Sequence, residues 1–361
     1  DCSGAKSVHV QMKRVFMEES ISVLQQIVPD IMSVLQNRYH IMRNIQMYAP
    51  VGRRVLADKV SLSERTLRTE TDFLRKQGLL SSSKNGMELT EEGENVFRHL
   101  EKFMRLLLNM NAKEKALADY LNIQFCRIVP GDSDEDASIL DEIGKTAAKE
   151  LHALLPAGEF IVAVAGGSTM ARAAEHFSPE LSQNRNFIFV PTRGGLGESM
   201  SIQANSVSDR MAQLVGGENM ALFVPDNLSE KAYASMKSEP SIKHTLSVMK
   251  KANCLLYSIG NAKVMMERRR MSHGLISSLE AHNAVGEAFG CYFNENGEIV
   301  YRLSRFGLQI EEIEKIPYAM AIAGGSTKAK AIKAFMKYAP HQTWLITDEG
   351  AANLILKGVT L

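Results

Sequence analysis

The sequence predicts an α/β protein with a small N-terminal winged helix-turn-helix domain and a larger domain built on a doubly wound parallel sheet. Three observations predict this. Short apolar runs alternate with helix-like stretches over residues 118–361. The pentapeptide Ala-Gly-Gly-Ser-Thr occurs at 165–169 and again at 323–327, each time between an apolar run and an Ala-rich stretch. Residues 53–89 read as helix, turn, helix and hairpin. A chain of 361 residues has room for two or three such domains.

The N-terminal part opens with helical periodicity, predicted over residues 18–48. Pro29 is expected to break or kink this stretch, and a second helix is predicted from Tyr39 to Met47. Residues 1–16 begin with Asp rather than Met and look unlike the rest, so we treat them as an expression remnant outside the fold. The apolar residues at helical spacing are Ile21, Leu24, Ile27, Val28, Ile31 and Leu35.

The helix-turn-helix proper follows. A short helix is predicted at Val55–Val60, and Ser63 is a natural N-cap for a longer helix at Glu64–Lys76. The longer helix is expected to bury Leu67, Phe73 and Leu74.

A hairpin and a long helix complete this domain, whose predicted limits are residues 18–110. A strand starts at Leu79, Lys84-Asn85-Gly86 forms the turn, and Met87–Leu89 pairs back. The helix from Thr90 to Met110 carries an apolar stripe that suits a connector or dimer helix. An ordinary packed helix explains the stripe equally well.

Positive charge is concentrated in the helix-turn-helix. The whole chain carries a net charge of only +1 and is not a polycation, yet residues 38–76 hold nine Lys and Arg against four Asp and Glu. A local basic excess predicts a module that meets a polyanion, so we expect operator DNA as a partner. A winged helix used only for protein contact is the alternative. The expected DNA-binding residues are Ser63, Arg65, Arg68 and Thr69 on the second helix, and Arg53, Arg54, Lys76 and Lys84 for phosphates.

The C-terminal domain, predicted over residues 118–361, alternates strand and helix. Residues 130–136 read as an acidic loop, and Asn294–Gly297 as a hairpin turn that adds one antiparallel excursion. The predicted strands are 125–129, 160–164, 187–190, 221–224, 254–259, 299–303, 318–322 and 343–346.

The repeated Gly-rich turn indicates an anion site. Small residues let a ligand approach the backbone, N–H groups at a helix start suit an anion, and Ser and Thr hydroxyls add donors. Neither GxGxxG nor a Walker sequence is present, so a nucleotide is not indicated. Small residues that serve only packing are the alternative.

Further candidates lie near these turns. Arg193 follows the run Phe189-Val-Pro-Thr and can fork onto phosphate. Lys328 begins the helix after the second turn, where a cation is unfavourable unless an anion is bound. Arg268-Arg269-Arg270 is either a solvated face or a phosphate contact. Glu287, in an apolar surround, needs a partner, either a sugar hydroxyl or an arginine.

No catalytic or metal-binding residue is assigned. Asp348 and Glu349 follow the last strand as possible acid–base groups, but capping of the next helix is favoured. The four cysteines are dispersed without CxxC spacing, which indicates a reduced protein without a metal site. No apolar run suits a bilayer or a signal core, so we expect a cytoplasmic protein with no membrane partner and no cofactor.

The ordered motifs AGGST, FVPTRGGLGE, AKVMMERR, AVGEAFG, AGGSTK and TDEGAA, after the winged helix, resemble the SorC family of bacterial sugar-responsive transcription regulators. The resemblance covers residues 18–361. It implies a Rossmann-like effector domain similar to sugar-phosphate isomerases and deaminases and an effector such as fructose 1,6-bisphosphate. Our own hypothesis adds that the winged helix binds a palindromic operator as a dimer or tetramer.

The resemblance also implies roles for individual residues. One phosphate falls to Ser168, Thr169, Arg193 and Lys328, the other to Arg268, and the sugar hydroxyls to Glu287. The effector is expected to bridge the two Gly-rich turns. The full expected set is Gly166, Gly167, Ser168, Thr169, Arg193, Gln203, Arg268, Glu287, Gly325, Thr327 and Lys328.

Two rival functions remain at this stage. One is a sugar-phosphate isomerase or deaminase with a fused DNA-binding domain, in which Glu287, Asp348 and Glu349 supply acid–base groups. The absence of histidine from the Gly-rich turns argues against it. The other is a winged-helix adaptor that binds protein, which salt-insensitive binding without DNA affinity would favour.

Overall fold

The computed structural model describes residues 27, 29–60, 62–107, 110–195, 199–225 and 229–359. The chain divides into two compact units, Asp1–Ala112 and Lys113–Leu361. The predicted helix start at residue 18 and the remnant at 1–16 lie outside the described residues. The predicted domain limits, 18–110 and 118–361, stay predictions.

The first unit is a winged helix-turn-helix, as predicted. Its core is formed by apolar side chains of every helix and of the hairpin, among them Ile45, Leu56, Leu67 and Met87. The strands pair antiparallel around the turn that Lys84 and Asn85 form. The elements are α1 (Pro29–Tyr48), α2 (Arg53–Lys59), α3 (Glu64–Lys76), β1 (Leu80–Ser83), β2 (Gly86–Leu89) and α4 (Glu91–Leu107).

Two details of the first unit differ from expectation. The separate helix predicted from Tyr39 is wrong, because α1 runs unbroken from Pro29 to Tyr48. Phe73 was expected in the core but is 39% exposed. The Arg38 guanidinium lies 3.8 Å from the Phe73 ring centroid, so a cation rather than the core covers this ring.

The second unit is built on a seven-stranded parallel sheet, which confirms the predicted class. Two strands extend from the strand Gly158–Val164 to one side and four to the other, so the strand order reverses between Gly158–Val164 and Cys254–Tyr257. In spatial order the strands are β3 (Phe125–Val129), β13 (Thr343–Asp348), β12 (Tyr318–Ile322), β7 (Cys254–Tyr257), β4 (Gly158–Val164), β5 (Arg185–Pro191) and β6 (Glu218–Asn219).

Helices pack on this sheet through small and apolar side chains such as Ala147, Ala173 and Met211. The unit boundary falls within α5, whose later residues Leu117 and Leu121 are buried. The helices are α5 (Met110–Leu121), α6 (Ile139–Leu154), α7 (Ser168–Ala174), α8 (Ala204–Val215), α9 (Glu230–Ser238), α10 (Pro240–Met249), α11 (Ala262–Arg268), α12 (His273–Ala281), α13 (Ala329–Phe335) and α14 (Glu349–Ile355).

A second, antiparallel sheet stands beside the first. The predicted hairpin at Asn294–Gly297 is confirmed, but it belongs to four strands rather than to a single excursion. Tyr292, from this sheet, packs with Met266 and Leu279 of the two helices before it. In spatial order the strands are β11 (Ile299–Arg302), β10 (Cys291–Asn294), β9 (Ala284–Ala288) and β8 (Gly260–Asn261).

The strand predicted at 221–224 is wrong. The Asn205 side chain accepts from the Leu222 N–H at 2.8 Å and donates to the Leu222 carbonyl at 2.9 Å. An amide side chain therefore takes the hydrogen bonds that a ladder would use. The edge strand β6 instead pairs with β5 at Glu218–Asn219.

Two further findings concern membrane-spanning helices and the cysteines. No helix among the described residues is long and apolar enough to span a membrane. Cys126, Cys254 and Cys291 are free and buried, and burial raises the pKa of the Cys254 thiol to about 12. Buried thiols of this kind are unreactive.

The contrast between Leu67 and Phe73 is testable. We expect Leu67→Ala to lower the free energy of opening of the first unit by about 2–5 kcal/mol, because Leu67 is fully buried. Phe73→Ala should cost about 1 kcal/mol, mainly the contact with Arg38. Hydrogen exchange of α2 amides in the full chain measures both, and equal losses would contradict the exposed position of Phe73.

Candidate functional site

A cavity opens at the carboxyl ends of the parallel strands, where the strand order reverses. In open α/β sheets this is the position at which ligands bind. The cavity has a volume of about 300 Å³. Its walls come from the loops after β3, β4, β5, β7 and β12, and from the antiparallel strand β9.

The first Gly-rich turn, residues 165–169, lies along one wall. Gly167 has a φ of 115°, a conformation that favours glycine, and Gly166 packs where a Cβ would lie 2.6 Å from the Ile202 carbonyl oxygen. Ser168 is exposed and Thr169 is buried. These glycines therefore shape the turn and its packing, and they leave the two hydroxyl residues at the start of α7, beside the cavity.

Lys328 reaches this wall from the second turn. Its Nζ donates to Thr169 Oγ1 at 3.0 Å. Burial lowers the pKa of Lys328, the carboxylates of Asp134 and Asp348 oppose that shift, and Arg268 adds to it. The predicted phosphate contact Lys328 is thus a mostly buried cation held against a hydroxyl of the first turn.

The second Gly-rich turn, residues 323–327, differs from the first. Its backbone donors are taken by carboxylates, since Gly325 N–H donates to Asp348 at 2.7 Å and Thr327 N–H to Asp134 at 2.8 Å. In this structure the N–H groups of the second turn therefore bind the chain's own carboxylates, and the expectation that they meet a ligand stays a prediction. Thr327 lines the cavity, whereas Gly325 is not part of its wall.

The two acidic residues at the end of β13 and the start of α14, Asp348 and Glu349, have structural partners. Asp348 Oδ1 accepts from Ala351 N–H at 3.0 Å, which confirms the predicted helix cap. Its other oxygen accepts from Ser133 N–H at 2.9 Å as well as from Gly325. Glu349 pairs with Lys113, with the Lys113 Nζ 3.1 Å from Oε1.

Glu287 has an arginine partner, one of the two alternatives that the sequence left open. Its Oε1 lies 3.2 Å from the Arg269 guanidinium and accepts from Gly290 N–H at 2.8 Å. Arg268 and Arg269 both line the cavity, and Arg270 does not. Sequence reasoning placed Arg268 here but gave Arg269 no separate role.

Arg305 is a functional candidate that sequence reasoning missed. Its side chain is 6% exposed, and it donates to the carbonyls of Phe289 at 2.8 Å and of Leu308 at 2.5 Å. Burial lowers the pKa of Arg305 to about 10 against the opposing effect of Glu287. At Gly290 a Cβ would lie 2.6 Å from Arg305 Nε, so the glycine makes room for this side chain. In the sequence, Arg305 could be recognised only as a single arginine in an irregular segment.

The remaining predicted residues separate into two groups. Arg193 follows β5 and lines the cavity, and its backbone bridges to Gly307. Gln203 is buried at the start of α8 and is not part of the cavity wall. The structure thus brings together Gly166, Gly167, Ser168, Thr169, Arg193, Arg268, Glu287, Thr327 and Lys328, and it leaves Gln203 and Gly325 outside.

The first unit presents a basic face on and around α3. Ser63 caps this helix by accepting from Thr66 N–H at 3.1 Å, as predicted. Thr69 is exposed and its hydroxyl donates to the Arg65 carbonyl at 3.1 Å. Arg68 lies 3.8 Å from Asp72. The exposed cations that the sequence assigned to DNA are Arg53, Arg54, Arg65, Arg68, Lys76 and Lys84, and among the described residues only Arg68 of these is in an ion pair. Arg75 of α3 is also exposed, and it pairs with Asp72.

The role of Arg305 predicts a stability effect. In Arg305→Lys the ammonium cannot reach both carbonyls, and each buried acceptor left without a donor costs about 1–3 kcal/mol. We expect the calorimetric unfolding temperature of the second unit to fall by several degrees, at about 2–4 °C per kcal/mol. Arg302→Lys is the control, because Arg302 and its partner Glu311 are largely exposed and such pairs contribute about 0–1 kcal/mol. A loss no larger than that of the control would contradict the role of Arg305.

Comparison with known proteins covers both units. The family model described as "CggR N-terminal DNA binding domain" matches residues 34–104, and the model described as "Putative sugar-binding domain" matches residues 107–357. The central glycolytic genes regulator of Bacillus subtilis (strain 168) is 41% identical over 341 residues, which cover 94% of this chain and 99% of that protein. The regulator of the same name from Priestia megaterium is 40% identical over the same shares.

Solved structures agree with these matches. A "putative SorC family transcriptional regulator" from Enterococcus faecalis is 49% identical with a TM-score of 0.65, covering 68% of this chain and 99% of that chain. The full-length sorbitol operon regulator of Klebsiella pneumoniae shares the fold, with 17% identity and a TM-score of 0.60 over 88% of this chain and 97% of that chain. The chain therefore belongs to the SorC family of sugar-binding transcription regulators.

Proposed function

We propose that this protein is a repressor of glycolytic genes whose operator binding is changed by a phosphorylated sugar, fructose 1,6-bisphosphate. The observation that carries the proposal is the cavity. Among its described lining residues are five cationic side chains and two carboxylates, Asp134 and Glu287. The cations are Arg193, Arg268, Arg269, Arg305 and Lys328. A buried cationic excess of this kind suits a ligand with more than one negative group.

We assign one phosphate to the first Gly-rich turn. Ser168 and Thr169 supply hydroxyl and backbone donors, and Lys328 is already held 3.0 Å from Thr169. The desolvation that lowers the pKa of Lys328 is relieved when an anion binds beside it. Arg193 approaches the same phosphate from the end of β5.

We assign the second phosphate to Arg268 and the sugar hydroxyls to Glu287. Arg268 is the last residue of α11 and lines the same cavity. Glu287 Oε1 is engaged by Gly290 N–H and faces Arg269, so we assign its second oxygen to a sugar hydroxyl. A bisphosphate can contact both Lys328 and Arg268, whereas a monophosphate offers its single phosphate to one of the two.

On the DNA side, α3 is proposed as the helix that enters the major groove, with the hairpin turn at Lys84 on the phosphate backbone. A dimer or tetramer in the cytoplasm would place two such helices on a palindromic operator. The 41% identity to a regulator of central glycolytic genes supports the class of target genes.

The enzyme alternative is weakened by the state of its acid–base groups. Asp348 is fully buried and accepts three backbone N–H bonds. Glu349 is paired with Lys113 and Glu287 with Arg269. None of the described lining residues of the cavity is a histidine. Groups committed to structural partners support ligand binding rather than proton transfer.

The effector assignment is tested by Lys328→Met. We expect this change to raise the Kd for fructose 1,6-bisphosphate by about 10- to 100-fold, because a charge-assisted bond to phosphate is lost. Isothermal titration calorimetry of the full chain measures it, and fructose 6-phosphate should bind more weakly than the bisphosphate.

Lys330→Met is the matched control for that experiment. Lys330 is exposed two residues further on and bonds Glu295, so its loss should leave the Kd unchanged. No binding of the bisphosphate by the unaltered protein, or equal effects of the two changes, would overturn the assignment.

The DNA assignment is tested by Lys84→Ala. Removing one phosphate contact should reduce the slope of log K against log salt concentration by about 1 unit, with little change in sequence preference. Fluorescence anisotropy with a duplex selected in vitro by the full chain measures the slope. Lys102→Ala, an exposed lysine of α4, should leave it unchanged. An unaltered slope in Lys84→Ala would remove the hairpin from the interface.

A further inference from the structure

The acidic loop, residues 130–136, fills the anion-binding positions of the second Gly-rich turn with the chain's own carboxylates. Asp132 Oδ1 accepts from Ser326 N–H at 3.2 Å, and Asp134 Oδ2 accepts from Thr327 N–H at 2.8 Å and from the Ser326 hydroxyl at 3.3 Å. The loop thus occupies the donors that a phosphate would otherwise use.

The same loop forms part of the cavity wall. Ser133 and Asp134 line the cavity together with Thr169 and Lys328, which are the proposed phosphate contacts. Asp134 is exposed on this side, and its charge acts on Lys328. A phosphate dianion on Lys328 therefore meets a like charge at Asp134, and this repulsion opposes the contact between Asp134 and Thr327.

The opposite side of the loop is bound to the start of α14. Gly131 accepts from Gly350 N–H at 3.0 Å and donates to Glu349 Oε2 at 3.4 Å. Glu349 Oε1 in turn binds Lys113 Nζ at 3.1 Å, and Lys113 also donates to Asn353 at 3.0 Å.

Lys113 lies on α5, and it is the first residue of the second unit. The chain that leaves the DNA-binding unit therefore enters the second unit on a helix that Glu349 holds. Its neighbour Glu114 is buried, accepts from Ile128 N–H at 2.9 Å and pairs with Arg127, so α5 is fixed to the edge strand β3 as well. The acidic loop follows directly after that strand.

We propose that the acidic loop is the element that transmits effector binding from the cavity to α5. The inference rests on the proposed function. A phosphate at Lys328 repels Asp134 from the second turn, the loop shifts, and its bonds with Glu349 and Gly350 change. The hold of Glu349 on Lys113 changes with them, and the start of the helix that carries the DNA-binding unit is released. This is a coupling between two sites through one two-state element.

The relay is tested by two substitutions at its ends. Asp134→Asn keeps an oxygen that accepts from Thr327 N–H but removes the charge. Lys113→Met removes the ammonium from α5 without touching the cavity. The measured quantity is the coupling factor, which is the ratio of operator Kd values with saturating and without fructose 1,6-bisphosphate.

We expect each change to reduce the coupling factor by about fivefold or more, within the range of typical allosteric couplings. In Asp134→Asn the effector should bind at least as tightly as in the unaltered protein. In Lys113→Met the effector Kd should not rise, and the operator Kd without effector should move towards the value that the unaltered protein has with effector, because the hold of Glu349 on α5 is already lost; a merely destabilised protein would instead bind both ligands more weakly. Glu135→Gln in the same loop and Lys115→Met on the same helix are the controls, since both side chains are exposed.

The outcomes separate the two proposals. An unaltered protein that binds no bisphosphate, or whose operator affinity ignores it, overturns the proposed function. An unaltered protein that responds, with both variants responding as strongly as their controls, overturns the relay and leaves the effector site in place. Loss of coupling in the two variants but not in the controls supports the relay.

Discussion

The carboxylate of Asp348 is the interaction on which the ligand-facing edge of the sheet depends. It is fully buried, and it accepts from three backbone N–H groups that belong to three different segments. These segments are the loop after β3, the turn after β12 and the first turn of α14. One side chain thus fixes three neighbouring strand ends relative to one another.

A buried carboxylate is tolerated only when its hydrogen bonds are complete. Asp348 meets that condition with backbone donors, which are themselves fixed by the sheet. The same bonds satisfy N–H groups that would otherwise be orphans at a helix start and a tight turn. Replacing this residue would therefore disturb the cavity wall and the hold on α5 together, since Glu349 is its neighbour in sequence.

The two Gly-rich turns have identical sequences but different hydrogen-bond partners. The turns at 165–169 and 323–327 have the same five residues and follow strands of the same sheet. The first lies beside the segment that begins at Met200 and presents its hydroxyls to the cavity, whereas the second lies beside the acidic loop and is filled by carboxylates. What surrounds each turn, and not the turn itself, decides whether it offers donors to a ligand.

Much of the fold followed from local sequence signals. Apolar periodicity predicted the winged helix and most strands of the parallel sheet, and the Ser63 cap and the Asp348 cap followed from residue type and position. The predictions that were wrong depend on tertiary contacts. Phe73 is a large apolar residue of the kind found in cores, but its ring lies against Arg38. Leu222 lies in an apolar run, but the Asn205 side chain takes its hydrogen bonds.

The residues that line the cavity were predicted only in part, and the missed ones again depend on tertiary contacts. The small-residue turns and Lys328 are visible in the sequence because their chemistry is unusual for their position. Arg305 is not recognisable in this way, because no residue near it in the sequence indicates that the carbonyls of Phe289 and Leu308 will accept its hydrogen bonds. The repeated turn also does not indicate that its backbone N–H groups will be bound by Asp132 and Asp134, which lie nearly 200 residues away in the sequence.

The charge arrangement also explains why the cavity suits a ligand that binds and is released. The protein already holds its cations partly desolvated, as the lowered pKa values of Lys328 and Arg305 indicate. Glu287 offsets Arg269 and Asp134 offsets Lys328, so two of the five lining cations have a carboxylate beside them while the cavity keeps its cationic excess. In the proposed function, a bound phosphate would take over the role of Asp134 towards Lys328. On that proposal a bound anion and a carboxylate of the chain compete for the same cation, so ligand binding and the position of the acidic loop are linked by charge.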